Sequence, residues 1–281
     1  MWGWNVDKKT AFQFLDMYYQ NGGRYIDTAF NYPINGIRND LSFAMLVLSE
    51  WIRVNKIVDL KVIFKYGSID NQNSPQSDLS AIRTNEMFEL AQERFGKNLY
   101  SLMVHWDSRS EHRLIDDTIF SLSDLSKKHS FNIGLSGIKE INYYRSLLRK
   151  LGAKCIDHEI KHAFNTIDLP LLDDSLIPEY RFWAYGISGS GLKLDEKDYR
   201  SDSYVKLVRK SDFHRDNLSY EDKVAIKSYI DESDLVNNLY DYSMLMKEKD
   251  SRFYGYIVSP SRTLQLEKII SFRNRVHGYF G

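Results

Sequence analysis

The chain has 281 residues, 43% of them hydrophobic, and its 38 basic side chains equal its 38 acidic ones in number. This apolar content excludes a disordered chain, and the length suits a single α/β barrel, which typically needs about 250 residues. The formal net charge of zero argues against nucleic acid or a membrane as the main partner, because both favour a basic protein surface.

A single cysteine, Cys155, leaves no pair for an internal disulfide, as expected in a reducing compartment. Its place in an apolar segment predicts a buried and unreactive thiol. The sequence shows neither the roughly 18 consecutive apolar residues that a membrane span needs nor the pattern of a signal peptide. We therefore predict a cytoplasmic protein.

Seven short apolar segments alternate with longer amphipathic ones. Apolar residues at helical spacing predict one helix before the first short segment and one after each of the first four, on faces that run from Phe12 to Tyr19, Leu41 to Trp51, Ile82 to Phe95, Ile115 to Leu125 and Ile141 to Leu148. The short segments resemble buried parallel strands in their aliphatic and aromatic residues, and they begin at Arg24, Lys61, Leu99, Phe131, Ala153, Arg181 and Phe253. This alternation predicts a parallel sheet with right-handed crossovers.

These seven strands are one fewer than a (β/α)₈ barrel, or TIM barrel, contains. The chain opens on a Trp-Gly-Trp turn at residues 2–4 and continues at once into helical spacing, so the missing strand is the first. No proline- or serine-rich linker divides the chain, which predicts one domain over residues 1–281. The longest irregular stretch, about residues 186–219, is interpreted as a lid or substrate loop.

Polar side chains follow three successive strands of this predicted sheet. The first strand ends near Asp27, with Tyr32 five residues later, the second ends near Lys65 and the third near His105. Each alone has a common structural explanation, such as a helix cap or a solvated charge. Together they favour a catalytic group, because active sites of α/β barrels collect at the carboxyl ends of the strands. An unpaired ammonium would also be costly in an apolar strand.

Six segments indicate a known family, and they are found in the order GGRYIDTAFNY, FKYG, LMVHWD, NIGLSG, FWAYGISGSGL and IVSPSRTLQLEKI. In order and spacing they resemble the aldo-keto reductase superfamily from Trp2 to about Phe272. The resemblance implies reversible, NAD(P)H-dependent reduction of a small aldehyde or ketone, with the catalytic tetrad Asp27, Tyr32, Lys65 and His105. Members of the superfamily have an N-terminal hairpin and a first strand before the equivalent of Trp2, so both are expected to be missing here.

The resemblance assigns a role to each of these four residues. Tyr32 is the expected general acid, and the Lys65 ammonium is expected to lower the phenol pKa from its usual value of about 10. Asp27 would hold Lys65 in place, and His105 would donate a hydrogen bond to the carbonyl oxygen. No step of this chemistry calls for a metal.

The cofactor contacts are likewise implied by the resemblance. The nicotinamide end is expected at Ser136, Gly137, Tyr185 and Gly186, where Gly137 replaces the asparagine of the family. The pyrophosphate is expected at Ser188, Ser190 and Gly191. The adenosine phosphate is expected at a helix N-terminus, with the contacts Ser259, Ser261, Arg262 and Gln265. Since Arg262 could grip a 2′-phosphate with two hydrogen bonds, NADP is favoured over NAD.

Two family positions are altered in the sequence. Lys268-Ile269 replaces the usual Asn or Glu-Asn near the end of the last motif, which predicts a different recognition of adenine. Either His158 or Glu159 takes the place of a glutamine of the family. His158 and His162 also have the spacing of a zinc pair on a helix, although their segment is predicted as a strand.

Aromatic residues beside the tetrad are candidates for the substrate wall. Trp2, Trp4 and Trp106 are the candidate substrate-binding residues, and Phe30 and Tyr66 are the further aromatic neighbours. Such walls suit apolar bodies and sugar faces equally, and a plain core role is as well supported.

Two other functions stay open at this point. One is a regulatory or interaction protein on the same fold that binds the nucleotide but catalyses weakly. The other is a Schiff-base lyase that uses Lys65, which the carboxylate of Asp27 disfavours.

Overall fold

The computed structural model describes residues 2–72, 74–163, 179–189, 191, 193–194 and 219–280. Seven strands lie in one sheet in chain order. They are β1 (Tyr25–Ala29), β2 (Lys61–Tyr66), β3 (Leu99–Asp107), β4 (Asn132–Ile138), β5 (Ile156–Lys161), β6 (Tyr180–Tyr185) and β7 (Phe253–Tyr256). β1 to β5 pair in parallel with their neighbours, and so do β6 and β7. The predicted seven-stranded α/β fold is therefore confirmed.

The described residues contain eight α-helices. They are α1 (Lys8–Gln20), α2 (Phe43–Val54), α3 (Ala81–Phe95), α4 (His112–His129), α5 (Ile141–Lys150), α6 (Tyr220–Glu232), α7 (Leu239–Lys249) and α8 (Thr263–Phe280). The Asp7 side chain caps α1 by accepting a hydrogen bond from the Thr10 amide, which satisfies one of its unpaired N–H groups. None of the helices in the described ranges is long and apolar enough to cross a membrane.

Apolar side chains of the first five helices form the core with the strands, as the spacing predicts. Leu15, Trp51, Ile119 and Leu148 are each at most 1% exposed. Ile82 is instead 75% exposed, because α3 begins only at Ala81 and its buried face starts later in the helix.

The prediction of a buried thiol is wrong. Cys155 is exposed and has a left-handed backbone with φ of 57°. It lies in the turn before β5, which begins only at Ile156, so the strand starts later than the apolar segment that suggested burial.

The described residues group into two compact units. The first comprises the described parts of Met1–Glu159, Ile177–Arg181 and Ser259–Leu266, and the second those of Ile160–Leu176, Phe182–Val258 and Glu267–Gly281. The assignment of residues 1–281 to one domain stays a prediction. Most of the predicted loop, including residues 195–218, lies outside the described residues.

Gly67 allows β2 to end close against β3. Its φ is 149°, and a Cβ at this position would lie 2.2 Å from the carbonyl oxygen of His105. We expect Gly67→Ala to lower the free energy of unfolding by about 2–3 kcal/mol, because backbone strain of this kind alone costs about 1–3 kcal/mol. Urea unfolding measures the loss.

A matched control for this substitution is Gly22→Ala. Gly22 also has a positive φ, 83°, but nothing lies within 4 Å of the point that a Cβ would occupy there. We expect it to cost about 1 kcal/mol from conformation alone. Equal losses in the two variants would show that the approach to His105 does not matter.

Candidate active site

The strand register of the first unit brings the predicted catalytic residues to one face. His105 of β3 pairs with Ser136 of β4, and Ser136 pairs with Glu159 of β5. Lys65 is paired with Ala29, two residues after Asp27 on β1. Because alternate side chains of a strand share a face, Asp27 and Lys65 point to the same side.

Lys65 is held between two carboxylates. Its Nζ lies 2.7 Å from Oδ2 of Asp27 and 3.0 Å from Oε2 of Glu159. Ser136 Oγ donates a hydrogen bond to the same Glu159 oxygen at 3.0 Å. The side chains of Lys65 and Glu159 are 4% and 2% exposed, so the two carboxylates take the place of nearly all the water around the ammonium.

Tyr32 and His105 complete the group. The Tyr32 ring lies with its centre 5.2 Å from Lys65 Nζ, and its centroid is 6.0 Å from that of His105, with the two planes nearly perpendicular. Tyr32 is half-buried while His105 is buried. All four residues of the predicted tetrad therefore meet within one unit.

Loss of water dominates the electrostatics of the phenol. Burial raises the pKa of Tyr32 to about 12, although the Lys65 ammonium acts in the opposite direction. The expectation that Lys65 brings this pKa below its usual value is therefore wrong. The ammonium has the expected sign, but desolvation outweighs it, and Asp27 and Glu159 reinforce the rise.

The pKa values of the other three groups are also shifted. Burial, with the charge of Lys65, lowers the pKa of His105 well below its usual value, so its imidazole is neutral at pH 7. Burial and the charge of Glu159 raise the pKa of Asp27 well above its usual value. Burial also acts to lower the pKa of Lys65, but the two carboxylates prevail and raise it well above its usual value.

Gly137 departs from the family pattern for a steric reason. It has a φ of 68°, and a Cβ there would lie 2.5 Å from Cδ1 of Trp106. An asparagine side chain at this position would collide with the indole. The predicted neighbour Ser136 is buried and already donates to Glu159.

Tyr185 and Gly186, which were predicted at the nicotinamide, and the described part of the predicted pyrophosphate segment belong to the second unit. Tyr185 ends β6 half-buried, and its carbonyl accepts a hydrogen bond from the His162 amide at 2.9 Å. The Gly189 amide donates to the carbonyl of Gly186, and the Gly191 amide donates to the carbonyl of Ser188. These bonds form a tight glycine-rich turn. Ser190 lies outside the described residues.

The predicted adenosine-phosphate segment lies at the start of α8. Ser259, Arg262 and Gln265 are exposed, and Ser261 is half-buried. Oε1 of Gln265 accepts from both the amide and the hydroxyl of Ser261, at 2.8 and 3.1 Å. Gln265 thus holds the turn before the helix, while Ser259 and Arg262 are exposed beside the N-terminal end of its dipole.

The aromatic candidates differ in their surroundings. Trp106 adopts a left-handed backbone with φ of 59°, and its ring lies 4.4 Å from that of His105. Strained residues of this kind cluster at functional sites. Trp2 is half-buried and forms an isolated bridge with Val6, and Trp4 is 44% exposed.

The structure shows other contacts for the two further aromatic neighbours. Tyr66 is fully buried, and its hydroxyl hydrogen bonds with Thr84 of α3, so it belongs to the layer between sheet and helix. Phe30 lies under the guanidinium of Arg83, 4.9 Å from its ring centre.

Glu159 is the residue of this cluster that the sequence left unresolved. On β5, Ile156 and Ile160 flank His158 at the period of a strand, which places His158 on the apolar face and Glu159 on the opposite one. His158 accordingly lies near Tyr180, at 6.3 Å between ring centres. Because β5 is a strand, the zinc spacing of a helix does not apply, and the described ranges contain no cluster of three potential metal ligands.

Comparison with known proteins gives one family and one fold. A family model, described as the aldo/keto reductase family, matches residues 1–206. The chain is similar to aldo-keto reductase AKR11C1 from Bacillus halodurans, at 15% identity and a TM-score of 0.61, over 96% of this chain and 83% of that one. It is also similar to the thermostable aldo-keto reductase Tm1743, solved with the inhibitor epalrestat, at 13% identity and a TM-score of 0.67, over 95% and 82% of the two chains. No curated protein matches.

Proposed function

This chain belongs to the aldo/keto reductase family, and we propose that it reduces an aldehyde or ketone to an alcohol with NAD(P)H, with Tyr32 as the general acid. The observation that supports this most is the buried contact of Lys65 with Asp27 at 2.7 Å, with the rings of Tyr32 and His105 beside it. A buried charge cluster at the carboxyl ends of parallel strands is typical of the catalytic end of such a barrel.

Each residue of the tetrad has its own role in the proposed reduction. When it is bound, the reduced nicotinamide supplies a hydride to the carbonyl carbon. Tyr32 donates its phenolic proton to the carbonyl oxygen, where negative charge develops. His105, which is neutral, donates a hydrogen bond to the same oxygen and orients it. Lys65 stabilises the phenolate that the proton transfer leaves, and Asp27 positions Lys65.

The chain also offers residues that suit the substrate and the cofactor. On the substrate side, His105 Nδ1 is buried and has no hydrogen-bond partner among the described residues, as expected of a group that meets a ligand. Ser136 and Gly137 would hold the nicotinamide end, and Ser259 and Arg262 would bind phosphate at the N-terminus of α8. An exposed arginine at this point favours NADP over NAD, because a guanidinium binds phosphate in a bidentate manner.

Consumption of NADPH, followed by its absorbance, tests the proposal on a panel of aldehydes, ketones and keto-sugars. We expect turnover with at least one carbonyl and a lower rate with NADH. Tight binding of the cofactor without turnover would favour the regulatory alternative. Trapping of a substrate on Lys65 by borohydride would instead favour a Schiff-base enzyme.

The pKa of Tyr32 also predicts the pH dependence of the two directions. Reduction needs the protonated phenol, which is present below a pKa of about 12, so kcat/KM for reduction should stay level across neutral pH and fall only in strong alkali. Oxidation of the alcohol needs the phenolate, so its kcat/KM should rise about tenfold with each pH unit. A plateau of the oxidation rate near neutral pH would contradict this.

A further inference from the structure

Glu159 gives the Lys65 ammonium a second carboxylate, and this is an unusual charge balance for a buried site. Asp27 Oδ2 and Glu159 Oε2 lie 2.7 and 3.0 Å from the same Nζ. The three side chains are at most 13% exposed. If all three were ionised, the cluster would bury one uncompensated negative charge, which is costly in a medium of low dielectric constant.

Among the residues that the structure describes, the groups around the cluster do not supply the missing positive charge. Tyr32 follows β1 and is a neutral phenol. His105 of β3 is neutral because burial and the charge of Lys65 disfavour the imidazolium. Ser136 of β4 offers a single hydroxyl hydrogen, which it donates to Glu159. The remaining option is a proton on one of the two carboxyl groups.

We propose that Glu159 is a positioning residue that acts through Lys65: the pair that it forms with Asp27 retains one shared proton at neutral pH, and its contact with the ammonium opposes the effect of Lys65 on Tyr32 and so keeps Tyr32 in its acid form. The part of this inference that concerns the direction of catalysis rests on the proposed function. The part that concerns the shared proton does not.

One further feature agrees with this arrangement. The pKa of Asp27 is raised by burial and then by Glu159, which is the pattern of two acids that share one proton. Lys65, by contrast, stays charged between them.

Infrared spectroscopy of the full chain without substrate tests the shared proton directly. At pH 7 we expect the carbonyl stretch of a protonated carboxylic acid, which shifts in heavy water. Glu159→Gln and Asp27→Asn should each abolish it, because one carboxylate then balances one ammonium. Glu179→Gln, which changes a side chain that is 47% exposed, is the matched control and should leave the band unchanged.

The pH profile of alcohol oxidation tests the effect on Tyr32. In Glu159→Gln we expect the rise of the oxidation rate to move about one pH unit lower, which is about tenfold more oxidation at a fixed pH below the midpoint. A merely structural role would lower both directions without moving the profile.

The two measurements separate this inference from the proposed function. Absence of the infrared band from the parent protein, or its survival in both Glu159→Gln and Asp27→Asn, overturns the shared proton even in an active enzyme. Presence of the band in a protein that reduces no carbonyl leaves the shared proton intact and refutes only the proposed function. If Glu159→Gln does not fold, Asp27→Asn alone decides the origin of the band.

Discussion

Replacing Tyr32 with phenylalanine is expected to lower kcat/KM for carbonyl reduction by about 10²–10⁴-fold, the usual contribution of a general acid, and to change cofactor affinity by less than about threefold. The substitution removes one hydroxyl and keeps the ring, whose centre lies 5.2 Å from Lys65 Nζ. Packing against His105 is therefore retained. Steady-state kinetics measure the first quantity, and quenching of protein fluorescence by NADPH measures the second.

A large loss of kcat/KM with an unchanged cofactor affinity is what identifies a general acid. A residue that holds the cofactor would weaken its binding when changed, whereas a proton donor acts only in the chemical step. Tyr220→Phe is a suitable control, because Tyr220 is 78% exposed at the start of α6, and it should leave both quantities unchanged. Reduction at the parental rate by Tyr32→Phe would assign the proton to another group.

The sequence was sufficient to predict the parts of the site that depend on strand order. Alternating faces along each strand and a parallel sheet fix which side chains meet, so the approach of Asp27, Lys65 and His105 was predictable from their places in the first three strands. The fold followed from the same periodicity, which predicts each of the seven strands.

The rest of the site depends on contacts between elements that no local pattern encodes. Trp106 lies so close to Gly137 that a larger side chain is excluded at position 137. Tyr66 contacts Thr84 because of the path that α3 takes. The balance between burial and the charge of Lys65 at Tyr32 also depends on how much water the fold removes. The sequence predicted the sign of the charge effect but not its size relative to desolvation.

The position of Glu159 could be predicted from the sequence only in part. Ile156 and Ile160 alternate with Glu159 along the sequence. This alternation is enough to place Glu159 on the face of β5 opposite to these isoleucines. Its contact with Lys65, rather than with a ligand, follows only from the lateral order of β2, β4 and β5 in space. An acidic residue in a strand predicted to be buried should therefore be tested as a partner of each lysine in the neighbouring buried strands.

Loss of the Lys65 charge is expected to be the most damaging single change to the site. Lys65→Met removes the common partner of Asp27 and Glu159, and breaking a buried ion pair on one side costs about 3–5 kcal/mol. We also expect no measurable reduction, because Tyr32 loses the charge that stabilises its phenolate. Lys8→Met, in the pair with Glu50 where the side chains are 49% and 40% exposed, should cost less than about 1 kcal/mol.

The pH dependence of this loss of stability distinguishes an electrostatic cause from a packing defect. In Lys65→Met the two carboxyls are buried without a cation, so their pKa values in the folded state lie above those in the unfolded chain, and the folded protein binds more protons. Stability then falls as pH rises, and the difference from the parent should shrink as pH is lowered towards about 4, the ordinary carboxyl pKa. A packing defect would give a difference that does not change with pH.

Neutralising the acids should restore folding without restoring chemistry. In the triple variant Lys65→Met, Asp27→Asn, Glu159→Gln no buried charge is left uncompensated, and well-packed neutral replacements of buried ion clusters are often as stable as the originals. We therefore expect most of the lost free energy of unfolding to return while carbonyl reduction stays absent. Urea unfolding and NADPH consumption, measured on the same preparation, separate the two effects. A triple variant as unstable as Lys65→Met would mean that the lysine stem, and not its charge, supports this end of the sheet.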